Sequence, residues 1–412
     1  MACPTLTASC AHLRSSGPVL VDSQEADGYG GSQIAFFLTH GATYLVRLPQ
    51  VHRGHDIIVF DPRGLGASTA IGCPVSAHDP AVPEFPLSPG DVAKMTAHGR
   101  AVYQGCRAAA GSLVAQSGLL TQAADVNAIR RALGAPRLDW LGQSVGAELG
   151  AVYAARYPGR VGRMVLDTVV DPWRSPAQRA LDSARSAEAM FSRFANWCDA
   201  TPAKCPLAGR DPGRILRQLT ARGTVGLTGS EVAIAFGQFM LAYPAAWPAA
   251  ARALAAAEAG EASDLTAYTA LTYGDPDYTG SRAGVCADGH VAAGQLPALA
   301  AAVRAAAPLL GGVTLQWDNL VSCAGWPRVS RPLDQRLPAR ARPAATVLVT
   351  ATSADSINAP TWARDVARRL GGRLLTTRTA GHGALDNSRR AAAAIDAYLA
   401  TGALPPSGAT RR

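Results

Sequence analysis

The segment "LDWLGQSVGAELG", residues 138–150, decides the fold, because a short apolar run ends in a serine framed by two glycines. Ser144 lies in the pattern Gly-x-Ser-x-Gly, between a predicted buried strand and a predicted helix that Pro158 ends. At such a junction the pattern predicts a sharp turn that presents a nucleophilic serine. The alternative is a tight turn whose serine only caps the helix. In a chain with 41 glycines the frame alone leaves both interpretations open.

The residues that flank Ser144 have predicted physical roles in a turn of this kind. A side chain at Gly142 or Gly146 would collide with the neighbouring strand or helix, so glycine is expected at both positions. The helix that follows directs its first amide groups towards the serine. The N–H of Val145 is therefore a candidate donor to an oxyanion.

Predicted strands and helices alternate on both sides of this segment. Short apolar runs predict buried strands at residues 17–22, 55–61, 137–142, 160–167, 346–350 and 373–378. The stretches between them predict helices at 41–48 in part, 91–111, 122–134, 147–157, 360–370 and 387–400. This alternation predicts an α/β fold with a mostly parallel sheet and helices on both of its faces.

The alternation is interrupted once, after residue 172. Residues 173–335 have mostly Ala-, Leu- and Arg-rich helical patterns, and strand patterns return only at 346. We therefore expect one discontinuous core with an inserted helical cap. The predicted core comprises residues 1–172 and 336–404, the cap comprises 173–335, and 405–412 form a tail.

The overall charge and hydropathy exclude several classes of protein. The net charge is 39 − 30 = +9, but its arginines are scattered without a basic block or interleaved aromatics, so no nucleic-acid partner is expected. The most apolar stretch, residues 296–315, contains Arg304 and two prolines and predicts a packed helix instead of a membrane span. The first residues lack the charged start and apolar run of a secretory signal.

A histidine in the right context supports the nucleophile interpretation of Ser144. His382 lies between glycines in "TAGHGALDN", after the last predicted core strand and before the last helix. A histidine on such a loop can reach the same edge of the sheet as the serine. His12, His52 and His78 have no comparable context and are expected to be ordinary surface histidines.

A carboxylate completes the chain order Ser, Asp, His that is typical of catalytic triads on this kind of sheet. Asp355 follows the strand after the cap and precedes His382 by 27 residues, which leaves room for one helix and one strand. Asp167 and Asp171 are rival acids after the preceding strand, and Asp167 is expected to fix a loop instead. Asp61 also ends a strand, in a segment that predicts a structural turn.

The eight cysteines fall into four couples that are local in sequence. None of the couples has the CxxC spacing of a zinc site or a redox dithiol, so no metal is expected. The even count favours disulfides and an oxidising compartment, and the alternative is eight buried thiols. The couples are Cys3 with Cys10, Cys73 with Cys106, Cys198 with Cys205, and Cys286 with Cys323.

Longer segments of the chain resemble a known family. It is similar to the α/β-hydrolases of the proline iminopeptidase and tripeptidyl aminopeptidase type, which are secreted serine exopeptidases of actinomycetes. The resembling segments cover most of the chain in matching order, and they are "FDPRGLGAST" (60–69), 142–172, "WCDATPAKCP" (197–206), "CAD" (286–288), "CAGWP" (323–327) and the regions of Asp355 and "AGHG" (380–383).

The resemblance implies roles for individual residues. It makes Ser144 the nucleophile, Asp355 the acid and His382 the base, and it makes the four cysteine couples disulfides. It implies a secreted enzyme that acts on short peptides or small acyl substrates without a cofactor. The expected fold is that of the α/β-hydrolases with a helical cap.

Two segments depart from the family pattern. Members of the family carry a glycine-rich loop after an early strand, which supplies the second oxyanion amide, whereas this chain has "DSQEADGYGGSQ" at 22–33. Gly28 and Tyr29 are the candidate amide donors within that loop. The opening strands of the family are also expected to be missing, because "CPTLTASCAHL" is followed almost directly by "GPVLVD".

The predicted function is that of a serine exopeptidase that cleaves near the N-terminus of short peptides. An esterase or amidase with the same triad is the first alternative. A binding protein on an impaired hydrolase scaffold is the second, because of the altered loop at 22–33. Glu148, Asp288 and Asp318 are candidates for binding a substrate amine, each against an ordinary structural role.

Overall fold

The computed structural model of the chain describes residues 18–22, 47–86, 88–406 and 410–411. Its strands form one sheet in the order β2-β1-β3-β4-β5-β6-β7, and every adjacent pair is parallel. The strands are β1 Pro18–Asp22, β2 Asp56–Ile58, β3 Leu138–Gln143, β4 Val161–Asp167, β5 Leu348–Ala351, β6 Arg373–Thr377 and β7 Thr410–Arg411.

Helices occupy most of the chain between the strands. Before β4 they are α1 Pro49–Gly54, α2 Pro89–Ala110, α3 Leu113–Gln116, α4 Leu119–Ala132 and α5 Val145–Arg156. Between β4 and β5 they are α6 Pro176–Ala200, α7 Pro212–Arg222, α8 Gly229–Ile234, α9 Trp247–Glu258, α10 Ser263–Tyr273, α11 Tyr278–Asp288, α12 Leu296–Ala306, α13 Leu315–Val321 and α14 Leu333–Arg336. After β5 they are α15 Pro360–Leu370, α16 Ala384–Asn387 and α17 Arg389–Thr401.

The central strands are mostly apolar because both faces of the sheet are covered. Successive residues of a strand face opposite sides. On β3, Trp140 packs in one hydrophobic cluster with Val152 of α5. Its neighbour Leu141 packs in another cluster with Ile395 of α17. The predicted α/β fold with helices on both faces is therefore confirmed.

The helices between β4 and β5 supply most of a separate hydrophobic cluster. Phe191 and Phe194 of α6 pack with Phe236 and with Trp247 at the start of α9. We refer to residues 173–335 as the helical insertion, and we propose that it is the cap predicted from the sequence.

Disulfides join three of the four predicted cysteine couples. They are Cys73–Cys106, Cys198–Cys205 and Cys286–Cys323. Cys3 and Cys10 lie outside the described residues.

Some element boundaries differ from the sequence prediction. The strand expected at 55–61 is only Asp56–Ile58, because its pairing with β1 ends at Ile58. The helix α1 follows the stretch expected to be helical at 41–48, most of which lies outside the described residues. The N-terminal segment "CPTLTASCAHL", on which the prediction of missing opening strands rests, also lies outside them. In the expected tail, Thr410–Arg411 pairs with the edge of β6.

None of the helices that the structure describes combines the length and apolarity needed to span a membrane.

Candidate active site

Ser144 lies at the sharp turn between β3 and α5. Its φ is 54°, a conformation that is uncommon for a residue with a side chain. Its N–H donates to the backbone oxygen of Asp167 at 3.0 Å, which ties the turn to the end of β4. A Cβ at Gly142 would lie 2.4 Å from the backbone oxygen of Gly146, so only glycine fits there, as the sequence predicted.

His382 lies on the loop between β6 and α16. Its Nδ1 lies 2.8 Å from Oδ2 of Asp355, and both side chains are buried. The N–H of His382 donates to the backbone oxygen of Ala242 at 2.8 Å, which attaches the loop to the helical insertion. Gly383, with a φ of 84°, allows the chain to enter α16 directly after the histidine. His382 is thus held at its ring by the Asp355 carboxylate and at its backbone by the hydrogen bond to Ala242.

Asp355 follows β5 and accepts hydrogen bonds on both carboxylate oxygens. Oδ1 accepts from the N–H groups of Ile357 and Asn358 at 2.8 and 3.2 Å. Oδ2 contacts His382 and accepts from the Thr168 hydroxyl at 2.7 Å. These donors fix the plane of the carboxylate.

Asn358 is a buried side chain in the site that the sequence analysis did not find. Its Nδ2 donates to the backbone oxygen of Thr168 at 2.7 Å and to Oγ of Ser144 at 3.3 Å. The contact with Ser144 joins the loop of the acid to the nucleophile. Nothing in a single sequence marks an asparagine three residues after an aspartate for this position.

Asp167, the first rival acid, holds the loop of the histidine instead. Its carboxylate accepts from the N–H groups of Ala384 and Leu385 at 3.0 and 3.1 Å and from the Thr350 hydroxyl at 2.5 Å. Burial raises the pKa of Asp167 to about 6. These contacts agree with the loop-fixing role expected from the sequence.

Asp171 and Asp61 are also bound in structural turns. The carboxylate of Asp171 accepts from the N–H of Trp173 at 2.9 Å and lies 3.6 Å from Arg174. The carboxylate of Asp61 accepts from the N–H of Ala67 at 2.9 Å within its turn. Neither aspartate has the contact to His382 that Asp355 has.

Of the candidate oxyanion donors, only Val145 lies within the described residues. It is the first residue of α5, and the first N–H groups of a helix have no acceptor within the helix. Gly28 and Tyr29 lie outside the described residues.

A cavity of about 120 Å³ adjoins the serine turn, and Val145 forms part of its wall. Three carboxylates line it, Glu148 from α5, Asp288 from α11 and Asp334 from α14, and so do four arginines, Arg63, Arg174, Arg179 and Arg282. Glu148 lies 2.7 Å from Arg179, and Asp288 accepts from the N–H of Leu119 at 2.9 Å. Burial raises the pKa of both carboxyl groups, that of Asp288 to about 7, and the charge of Glu148 acts on Asp288 in the same direction.

Asp318, the third carboxylate considered for a substrate amine, is not part of this wall. It lines a separate cavity of about 730 Å³. Its Oδ2 accepts from Arg282 at 2.6 Å, and Tyr278 donates to it at 3.1 Å. A carboxylate bound in this way has a structural role, which was the alternative weighed from the sequence.

Comparisons with known proteins agree with this geometry. A tripeptidyl aminopeptidase of Streptomyces lividans is 30% identical over 383 residues, which cover 85% of this chain and 69% of the relative. The serine protease Hip1 of Mycobacterium tuberculosis is 36% identical over 170 residues, 40% of this chain and 32% of the relative. A carboxylesterase B of M. tuberculosis is 29% identical over 393 residues, 86% of this chain and 73% of the relative.

A model of the family described as having the alpha/beta hydrolase fold matches residues 40–387. That range contains the serine turn, the helical insertion, and the loops of Asp355 and His382. The match confirms the family resemblance found in the sequence. The chain belongs to the α/β-hydrolase family of enzymes and is a relative of the actinomycete tripeptidyl aminopeptidases.

Proposed function

We propose that this enzyme is a serine exopeptidase that cleaves short peptides near their N-terminus through a triad of Ser144, Asp355 and His382. The observation that carries the proposal is the buried contact between His382 Nδ1 and Asp355 Oδ2 at 2.8 Å. Around it, Asp167 accepts the Ser144 N–H through its backbone and binds the loop of the histidine through its carboxylate. Both contacts tie the turn of Ser144 and the loop of His382 to the end of β4, which supports the proposed triad.

In the proposed reaction, Nε2 of His382 removes the Ser144 hydroxyl proton as Oγ attacks the substrate carbonyl. Asp355 holds the tautomer that carries its proton on Nδ1. The N–H of Val145 donates to the oxyanion of the tetrahedral intermediate. The imidazolium then protonates the leaving amine, and water hydrolyses the acyl-enzyme by the same route.

The cavity beside Val145 supports a free N-terminus as part of the substrate. Glu148 and Asp288 line the same small space, and the charge of Glu148 helps to raise the pKa of Asp288. An ammonium group placed between them would offset that repulsion. We therefore propose that the two carboxylates bind the substrate α-amine, and that its distance from Ser144 sets the length of peptide released.

The disulfides support an oxidising location for the enzyme, since such bonds are rare in reducing compartments. We propose that it is secreted and that its substrates are extracellular peptides.

Labelling with a fluorophosphonate tests the nucleophile, with Ser144→Ala as the comparison. We expect covalent labelling of the folded wild-type protein and none of the variant. Ser76, an exposed serine outside the site, offers a control, since Ser76→Ala should label like the wild type. Folded wild-type protein that carries no label at Ser144 would overturn the enzymatic proposal and leave a binding role.

An esterase acting on small acyl groups is the second candidate, because a carboxylesterase B is among the relatives. Tripeptidyl anilides with a free and with an acetylated N-terminus separate the two functions. The exopeptidase proposal expects acetylation to abolish cleavage, because the carboxylate-lined cavity then loses its cation. Equal cleavage of both anilides would favour the esterase or amidase.

A further inference from the structure

Thr168, the residue after β4, has a backbone conformation that its side chain disfavours. Its φ is 50°, and it is a β-branched residue. Such residues rarely adopt positive φ, because the branched side chain crowds the backbone, and glycine is the usual choice. Thr168 is also buried, at 4% exposure. Strained residues persist where the surrounding contacts determine them, and they concentrate at functional sites.

Three hydrogen bonds hold Thr168 in this conformation. Its N–H donates to the backbone oxygen of Thr350 on β5 at 2.9 Å. Its backbone oxygen accepts from Nδ2 of Asn358 at 2.7 Å. Its hydroxyl donates to Oδ2 of Asp355 at 2.7 Å. The backbone bonds place the side chain, and the side chain reaches the acid.

The oxygen that receives the hydroxyl is the one that contacts the histidine. Oδ2 of Asp355 lies 2.7 Å from Oγ1 of Thr168 and 2.8 Å from Nδ1 of His382. The other oxygen is occupied by the N–H groups of Ile357 and Asn358. Without the Thr168 hydroxyl, Oδ2 of Asp355 would contact only His382 among these groups. The position of Oδ2 would then depend on the imidazole that it has to orient.

We propose that Thr168 is a positioning residue that fixes Oδ2 of Asp355 so that His382 is held in the orientation needed to activate Ser144. This role rests on the proposed function of the triad. It accounts for a threonine at a positive φ, since glycine would relieve the backbone but could not supply the hydroxyl. It also predicts that the hydroxyl matters and that the methyl group does not.

The test compares Thr168→Ser, which keeps the hydroxyl, with Thr168→Val, which keeps the shape and loses it. The readout is the second-order rate constant for fluorophosphonate labelling of Ser144, which requires no peptide substrate. We expect Thr168→Val to label about 10-fold more slowly or worse, as for loss of a hydrogen bond to a charged group. Thr168→Ser should label within about two-fold of the wild type, since its donor is intact.

Thr168→Gly covers the outcome in which the valine variant does not fold, because it removes the hydroxyl and relieves the backbone. We expect it to fold and to label as slowly as predicted for valine. Folded Thr168→Val or Thr168→Gly that labels at the wild-type rate would overturn the role of the hydroxyl. So would a serine variant as slow as valine, which would make the methyl packing responsible. A wild type that does not label at Ser144 would instead overturn the proposed function, and this role with it.

Discussion

Ser144 and Thr168 are the two non-glycine residues with positive φ in the part of the chain that the structure describes. They lie at the ends of the neighbouring strands β3 and β4. Asp167 connects them, because its backbone oxygen accepts the N–H of Ser144 and Thr168 is the next residue along the chain. The two residues are therefore the candidate nucleophile itself and a residue that contacts its acid, and local backbone strain at such positions is expected to have a function.

Replacing Asp355 by asparagine should abolish most of the activity. An amide in place of the carboxylate favours the wrong tautomer of His382, and the analogous change in a serine protease lowers kcat by about 10⁴-fold. Asp171→Asn is the matched control, since Asp171 is also buried but contacts Trp173 and Arg174. Steady-state hydrolysis of a tripeptidyl anilide by both variants checks the assignment. If Asp171→Asn lost more activity than Asp355→Asn, the assignment of Asp355 as the acid would be wrong.

At the scale of elements, the end of β4 connects the parts of the site. The carboxylate of Asp167 binds the start of α16, and its backbone binds the turn before α5. The parallel pairing of β4 with β5 places Asp167 opposite Thr350, whose hydroxyl the carboxylate also accepts. One strand end thereby fixes the distance between two loops that are far apart in sequence.

Asp167→Ala should destabilise the protein, because it leaves the buried N–H groups of Ala384 and Leu385 without their acceptor. A loss of about 2 to 3 kcal/mol in the free energy of unfolding is expected. Urea denaturation at pH 7.5 measures it, above the pKa of about 6 to which burial raises this carboxyl group. Asp264→Asn, at an exposed position of α10, is the control and should change stability by less than about 0.5 kcal/mol. An effect of Asp167→Ala as small as that of the control would contradict the stabilising role of the hydrogen bonds from Ala384 and Leu385 to Asp167.

The stability that Asp167 contributes depends on pH, because its pKa differs between the folded and the unfolded protein. The pKa of Asp167 is higher in the folded protein than its ordinary value of 3.8. The folded state therefore binds the proton more tightly than the unfolded state does. The contribution of this group to stability declines as the pH rises from about 4 to about 6.

The strands and helices that carry the site were predictable because each has a strong local pattern. The apolar run of β3, the helix α5 ended before Pro158, and the loop glycines around His382 are all visible in the sequence. Thr168 and Asn358 were not predictable. Their roles arise from the register of β4 on β5 and from a loop that folds back towards Ser144, and no residue pattern along the chain encodes either contact.

At the scale of the whole molecule, the proposed amine site is shared by the core and the helical insertion. Val145 and Glu148 come from α5 in the core, and Asp288 comes from α11 in the insertion. The disulfide Cys286–Cys323 holds the last turn of α11 against the residues that follow α13. Under this proposal, substrate selection depends on how the insertion packs on the sheet, whereas the three residues of the proposed triad come from the core alone.

The binding of a free amine at this site should depend on pH through Asp288. Burial raises the pKa of its carboxyl group to about 7, so it is mostly neutral at pH 6 and mostly ionised at pH 8. An ammonium group is attracted only by the ionised form, and peptide α-amines, with a pKa of about 7.7, are still more than half protonated at about pH 7.5. The KM of a tripeptidyl anilide should therefore fall several-fold as the pH rises from 6 to 7.5.

Asp288→Asn removes the titrating group and should give a KM that is higher and nearly constant over the same range, with kcat changed much less. Asp264→Asn should keep the wild-type profile, since it lies on the exposed side of the insertion. Michaelis constants measured at pH 6, 6.5, 7 and 7.5 for the three proteins decide the point. If Asp288→Asn retains the fall in KM with rising pH, the amine binds elsewhere, and the carboxylates beside Val145 are structural.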